Sequence, residues 1–354
     1  MDDYIATDPD PDTAAEGEEY VDWTVRIGEG CVASTGDLIG HVTTVEAARD
    51  MDVLRAALGE DQLTYFGASY GTKLGSTYAD LFPDRVGRLV LDGAVDVSLS
   101  SRELTLEQAG GFETALRAYV ENCIEESSEC FLGDSVDEGL QRIRDFLDEV
   151  DQQALPTGTD RELTEGNALY GLIAPLYNRD YWFLLSTALR QGFGGDGSAL
   201  LQLSDLYTSR SPNGGYTDNS TEAIFAINCL DDPYAIEGSK VAGEYATFEE
   251  ASPTLGKVFA WFLTGCGGIQ VESAEDPREI RAAGAAPIVV VGTTRDPATP
   301  FQWAEALADQ LESGVLIERD GDGHTGYNAG NECVDEAVES YLVEGTVPDD
   351  GLSC

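Results

Sequence analysis

Only three of the 354 residues are lysine, and arginine brings the basic total to just 20 against 66 aspartates and glutamates, a net charge of -46. So acidic a chain repels phosphate backbones and anionic lipid headgroups, which excludes nucleic acid as a partner. The excess reads as a solvated surface that keeps the protein soluble, and the alternative reading is attraction of cationic ligands such as peptide amino termini. No run of 18 apolar residues occurs, so no membrane span is expected. The first twenty residues, MDDYIATDPDPDTAAEGEEY, have neither the basic head nor the apolar core of a signal peptide. There is no CxxC and no Cys/His cluster, so no zinc or other metal site is expected, and nothing in the chain calls for a cofactor.

What is present is enough apolar sequence, 42%, to bury a substantial core in one large domain with an insertion or in two domains. Seven cysteines sit at spacings that look structural. Cys123 and Cys130 flank a short acidic loop, Cys229 and Cys266 share one segment, and Cys333 and Cys354 bracket the last helix. Three such pairs leave Cys31 over, so either it is a free thiol or its partner is not in this chain.

Residues 43 to 58 open with a capping box, Thr43 to Glu46, carry Ala47, Met51, Leu54 and Leu58 at helical spacing, and stop at Gly59. Residues 62 to 66 read as a strand, a helix runs from about 70 to 81, and Val86 to Leu91 reads as a second strand. Strand, helix and strand at this spacing make a parallel βαβ unit. From 101 to 285 the pattern becomes helical with acidic faces. β character returns at 286 to 291, followed by a helix over 302 to 312, a strand over 314 to 318 and a final helix near 333 to 343. The expected fold is therefore α/β: a parallel sheet formed by residues 1–100 and 286–354, with 101–285 as a helical insertion.

GASYG at 67 to 71 lies between the first strand and its helix, the context of a nucleophile elbow centred on Ser69. The amide of Tyr70, next in the chain, would supply one oxyanion donor. A serine nucleophile needs a base, and the chain has only His41 and His324. His324 follows the last strand in a glycine-rich loop, GDGHTG, and meets the order Ser, acid, His. His41 precedes the serine and reads as a surface residue. Asp296, in VVVGTTRDPATP, follows a core strand and is the expected acid, with Asp92 and Asp96 as rivals after the second strand. Gly192-x-Gly194-x-x-Gly197 spells a dinucleotide fingerprint but follows a helix, so it reads as a loop. The DGDG at 320 to 323 lacks the remaining ligands of a calcium loop and reads as a turn.

On these residues the chain resembles the secreted tripeptidyl aminopeptidase-like serine peptidases of actinobacteria, a prolyl-aminopeptidase type of α/β hydrolase. The stretch from TTVEAARDMDVL to LVLDGAVD carries the resemblance, together with AINCLDD, DPATP, GDGHTG and the tail from CVDEAVES, and it extends over the chain from residue 19. It implies hydrolysis of peptide substrates from the amino terminus, a helical lid, and export to an oxidising compartment. It also implies leading strands and a Gly-rich oxyanion loop ahead of the helix at 43 to 58. These are not found, so the expectation is an N-terminally truncated member. Such a chain would be weakly active or inactive, with the strand at 62 to 66 exposed as an edge that could pair with another chain. Asp231 in AINCLDD is the candidate anchor for a substrate amino terminus. An esterase on small acyl compounds and a non-catalytic remnant or binding protein are the alternatives. Where His324 acts as base, activity should fade below about pH 6.5.

Overall fold

The computed structural model describes all residues except 127–129 and 272–279, and it divides into two compact units. The sheet unit comprises residues 37–111, 230–232 and 271–354; the helical unit comprises 1–36, 112–229 and 233–270. In chain order the strands are β1 (Leu63–Ala68), β2 (Val86–Asp92), the short pair β3 (Leu155–Pro156) and β4 (Glu162–Leu163), β5 (Ile288–Arg295), β6 (Gly314–Asp322) and β7 (Leu352–Ser353).

The five-stranded sheet has the order β1-β2-β5-β6-β7 and every pairing is parallel. Alternate residues of β2 and β5 face opposite sides, as a pleated strand requires. Leu89, Leu91, Ile288 and Val290 pack with Ala79 of the Tyr70–Leu81 helix and with Ala304, Leu307 and Leu311 in and just after the Phe301–Gln310 helix. On the other face Val90, Val289, Val291 and Ile317 pack against Val334, Val338 and Tyr341 of the Glu332–Glu344 helix. Both faces are covered, which is why these strands read as continuous Val/Ile/Leu runs. The fold is the expected α/β hydrolase architecture.

Because all strands are parallel, their carboxyl ends lie along one edge. The register pairs Ala68 with Asp92, Asp92 with Val291 and Arg295 with Asp322. Residues just beyond β1, β2, β5 and β6 are thereby gathered at that edge. β1 is the outer strand among the described residues, and Phe66 on it is 38% exposed.

The helical unit differs from the sequence expectation at its beginning. Residues 1–36, expected with the sheet, are helical over Asp2–Ala6 and Ala14–Thr35 and pack within the helical unit. Tyr20 stacks edge-on to Trp261, and the Trp261 ring fills the space where Gly17 has no side chain. Apolar spacing on the Ala14–Thr35 helix is diluted by acidic residues, so its buried stripe is narrow: Gly17, Tyr20, Thr24 and Gly28. Two glycines and a threonine carry little hydrophobic signal. Elsewhere the stripe is plain, as in Leu140, Ile143, Phe146, Leu147 and Val150 of the Val136–Gln152 helix. The three cysteine pairs 123–130, 229–266 and 333–354 are disulfides, and Cys31 is a free thiol with its sulfur 3.7 Å from the Glu222 carbonyl.

Candidate active site

Ser69 lies between the end of β1 and the Tyr70–Leu81 helix with φ 56° and ψ -121°, a conformation that L-residues rarely hold. Such backbone costs on the order of 1–3 kcal/mol and persists only where its surroundings over-determine it. They do so here. Ser69 N–H donates to the Asp92 carbonyl at 2.9 Å, and Thr72 returns two bonds to the Ser69 carbonyl, from its amide at 2.8 Å and its hydroxyl at 2.6 Å. A Cβ on Gly67 would lie 2.4 Å from the Gly71 carbonyl oxygen, so only glycine lets the strand turn this tightly into the helix. The Tyr70 amide, first in the helix, has no intrahelical acceptor, and the Tyr70 hydroxyl is 2.9 Å from Thr44 Oγ1.

Asp296 follows β5 and is 2% exposed. Its Oδ1 accepts the amides of Ala298 and Thr299, each at 2.9 Å, and its Oδ2 accepts the Thr325 amide at 3.0 Å. Both oxygens are 2.9 Å from His324 Nδ1, which is also 3.3 Å from Thr299 Oγ1. Thr299 thus holds both the carboxylate, through its amide, and the imidazole, through its hydroxyl. The ring of His324 covers Gly93, where an added Cβ would come within 3.1 Å of His324 Cε1. Gly93 directly follows the residue whose carbonyl receives the Ser69 amide, so the imidazole covers the end of β2 beside the residue that holds the serine's backbone.

The rivals Asp92 and Asp96 have other partners. Asp92 is fully buried, and its oxygens accept the amides of Gly326 at 2.7 Å and Tyr327 at 2.8 Å, which clamps the loop that carries His324. Burial pushes its carboxyl up to about 6, the two amides oppose this, and neighbouring Asp296 adds to it. Asp96 accepts from the Ser98 amide and hydroxyl and from Gln310 Nε2. His324 is raised above its ordinary 6.5: burial works against the imidazolium, but the charge and hydrogen bond of Asp296, with help from Asp92, outweigh it. This revises the expected acid limit of activity upward from pH 6.5.

Sequence reasoning missed the scaffold of the histidine loop. Arg319, 9% exposed, donates to the carbonyls of Asp322 at 3.1 Å and Ala329 at 3.2 Å, while Arg295 binds Asp322 at 2.5 Å and Asp320 at 2.8 Å. The two aspartates of DGDG therefore belong to arginine pairs. The signal was the pair of arginines in a chain with so few cations, at the ends of adjacent strands.

Asp231 needs a correction. Its Oδ2 is 2.7 Å from Lys73 Nζ and receives the Thr44 hydroxyl at 2.5 Å, and its Oδ1 accepts the Thr44 amide at 2.9 Å. Both oxygens are occupied in closing the first turn of the Thr44–Leu58 helix, because that turn's amides lack intrahelical acceptors and Lys73 supplies a counter-charge. It is not available as an anchor for an ammonium group. His41 is exposed at the end of the Gly36–His41 turn of 3₁₀ helix. Gly192 ends one helix region and Gly194 and Gly197 lie in the turn before Ser198–Tyr207, with no strand ahead of them.

Residues 252–354 match the family described as TAP-like protein. The chain is 36% identical over 364 residues to the serine protease Hip1 of Mycobacterium tuberculosis, covering 99% of this chain and 69% of that protein. It is 36% identical over 360 residues to a carboxylesterase B of the same organism, covering 99% and 68%. With a tripeptidyl aminopeptidase of Streptomyces lividans it shares 27% over 361 residues, covering 98% and 64%.

Proposed function

The chain belongs to the TAP-like serine hydrolases of the α/β hydrolase fold, and from this we propose that it is a serine exopeptidase releasing short peptides from the amino terminus of its substrates. Ser69 is the nucleophile, His324 the base and Asp296 the residue that fixes the imidazole. The observation that supports the reading is a histidine whose Nδ1 lies 2.9 Å from both oxygens of a buried aspartate, in a chain that also holds Ser69 in strained backbone between β1 and its helix. With Nδ1 committed to Asp296, proton transfer falls to Nε2. His324 takes the Ser69 proton as the hydroxyl attacks the scissile carbonyl, then delivers it to the leaving amine, and water hydrolyses the acyl-enzyme by the same route in reverse. The Tyr70 amide, at a helix amino terminus, is aimed at the developing oxyanion. Three disulfides suit an exported protein in an oxidising compartment.

An esterase acting on small acyl groups is the second reading, and one observation favours it: the acidic anchor expected for an amino terminus, Asp231, is taken by Lys73 and Thr44. Two measurements decide. A fluorophosphonate probe should label the folded protein and lose its target in Ser69→Ala; absence of labelling on folded protein would overturn the enzymatic reading. Turnover of a tripeptide arylamide should fall sharply when its amino group is acetylated, and equal rates would replace the exopeptidase reading with the esterase one.

A further inference from the structure

The helical unit holds a group of carboxylates that the chemistry above leaves unused. The segment TDPDPDT, Thr7 to Thr13, joins the first two helices and packs onto the start of the Glu165–Ile173 helix. The approach is close: a Cβ on Gly166 would lie 2.4 Å from the carbonyl oxygens of both Ile5 and Thr7. It brings Asp8 to Glu165, and Asp151 arrives from the last turn of the Val136–Gln152 helix. A carboxylate oxygen from each of the three lies within 4.8 Å of the other two. The Asp10 amide donates to Asp8 Oδ1 at 2.9 Å and fixes its orientation.

Glu165 shows that the group is built rather than crowded by chance. It is only 6% exposed, and its Oε2 is buried without a hydrogen-bond partner. A buried, unanswered carboxylate oxygen is costly, and the same unit avoids that cost elsewhere. Glu113, 4% exposed, accepts from Ser252 Oγ and the Thr254 amide, each at 3.0 Å. Among the described residues no lysine or arginine forms an ion pair with Asp8, Asp151 or Glu165.

We propose that Asp8, Asp151 and Glu165 form a binding site for a divalent cation of the calcium type, which ties the amino-terminal segment to two helices of the unit. All three donors are hard oxygens, with no imidazole or thiolate among them to favour zinc or copper. Oxygens held about 2.3–2.6 Å from one Ca²⁺ lie at most about 4.6–5.2 Å apart, the span of this group, whereas Mg²⁺ demands a tighter cage. Three carboxylates around one dication leave a net charge of -1, and exposed Asp151 leaves room for water to complete the shell and for the ion to enter.

The test uses the whole chain with Ca²⁺ alone as the probe. Thermal unfolding is followed in EGTA, in CaCl₂ and in NaCl of matched ionic strength, the last to control for screening of so acidic a surface. Ca²⁺ at a hundredfold excess over Kd should raise Tm by about 5 °C where matched NaCl does not, and calorimetric titration should resolve a single site. Glu165→Gln and, separately, surface-exposed Asp151→Asn should each abolish the Ca²⁺-specific rise while keeping the far-UV circular dichroism of the parent. Equal Tm in EGTA and CaCl₂, or a Ca²⁺-specific rise retained in either variant, overturns the proposal.

Discussion

The strand ends of the sheet unit and the Glu165 cluster of the helical unit bury carboxylates in opposite company. At the strand ends, Asp92 and Asp296 have every oxygen answered: backbone amides of Gly326 and Tyr327 for one, amides of Ala298, Thr299 and Thr325 plus the imidazole of His324 for the other. In the helical unit Glu165 is comparably buried but faces Asp8 and Asp151, and its acid is pushed up to about 10, chiefly by burial and then by neighbouring carboxylates. Burial of an acid therefore says little about its role. The donors around it decide whether it orients a base or waits for a cation.

Substitutions of acids in each unit in turn break or sharpen this contrast. The largest effect belongs to Asp296→Asn, which supplies an NH₂ where Nδ1–H must donate and so turns the imidazole to the wrong tautomer; kcat should fall by about 10⁴-fold, measured against a substrate the parent enzyme turns over. Asp92→Asn should be milder. It leaves one loop amide facing an NH₂, costing about 1–3 kcal/mol of stability in denaturant unfolding, and a displaced His324 should reduce kcat by roughly 10- to 100-fold.

The pH profile gives a smaller and more selective reading. His324 must be neutral to act as base, and its folded value is raised, so the acid limb of kcat/KM should lie above pH 6.5. Asp92→Asn removes one of the charges that raises it, and the limb should move down relative to the parent. Stability runs the other way: the contribution of the His324 pair is fully present below the unfolded value of 6.5 and is lost as pH rises through the higher folded value. A limb at or below 6.5 would mean that burial, not Asp296, governs the imidazole.

The smallest effect is on the helical side. In EGTA the Glu165 acid, pushed up to about 10, is already neutral at pH 7, so Glu165→Gln removes no charge and should leave Tm within about 2 °C of the parent. A destabilised Glu165→Gln in EGTA would erase the contrast between the units.

Much of the sheet unit was legible because its determinants are local. The N-cap at Thr43, the strand at 63 to 68, the elbow glycines and the apolar runs of β2 and β5 each declare themselves within a few residues. Asp296 and His324 were found because parallel strands present their carboxyl ends on one edge, which turns strand-end position into spatial proximity. The part played by Asp92 was not legible. Its partners, Gly326 and Tyr327, lie more than two hundred positions away, and nothing near Asp92 marks it as a clamp rather than a catalytic acid. Asp231 failed for the same reason: Lys73 and Thr44 reach it only through the fold. Residues 1–36 were misplaced because a helix whose buried stripe is Gly17, Tyr20, Thr24 and Gly28 has almost no hydrophobic period, and its attachment rests on fitting glycine against Trp261 and Gly268.

The sequence by itself determined the α/β class, the strand-to-helix turn at Ser69, the cysteine pairs and the acidic net charge, all properties written in composition or in short-range pattern. Tertiary structure alone decided which acid clamps the histidine loop, which caps a helix and which meets other acids. That assignment depends on the amides and cations each carboxylate finds across the chain, because a buried charge is stable only through the donors that surround it.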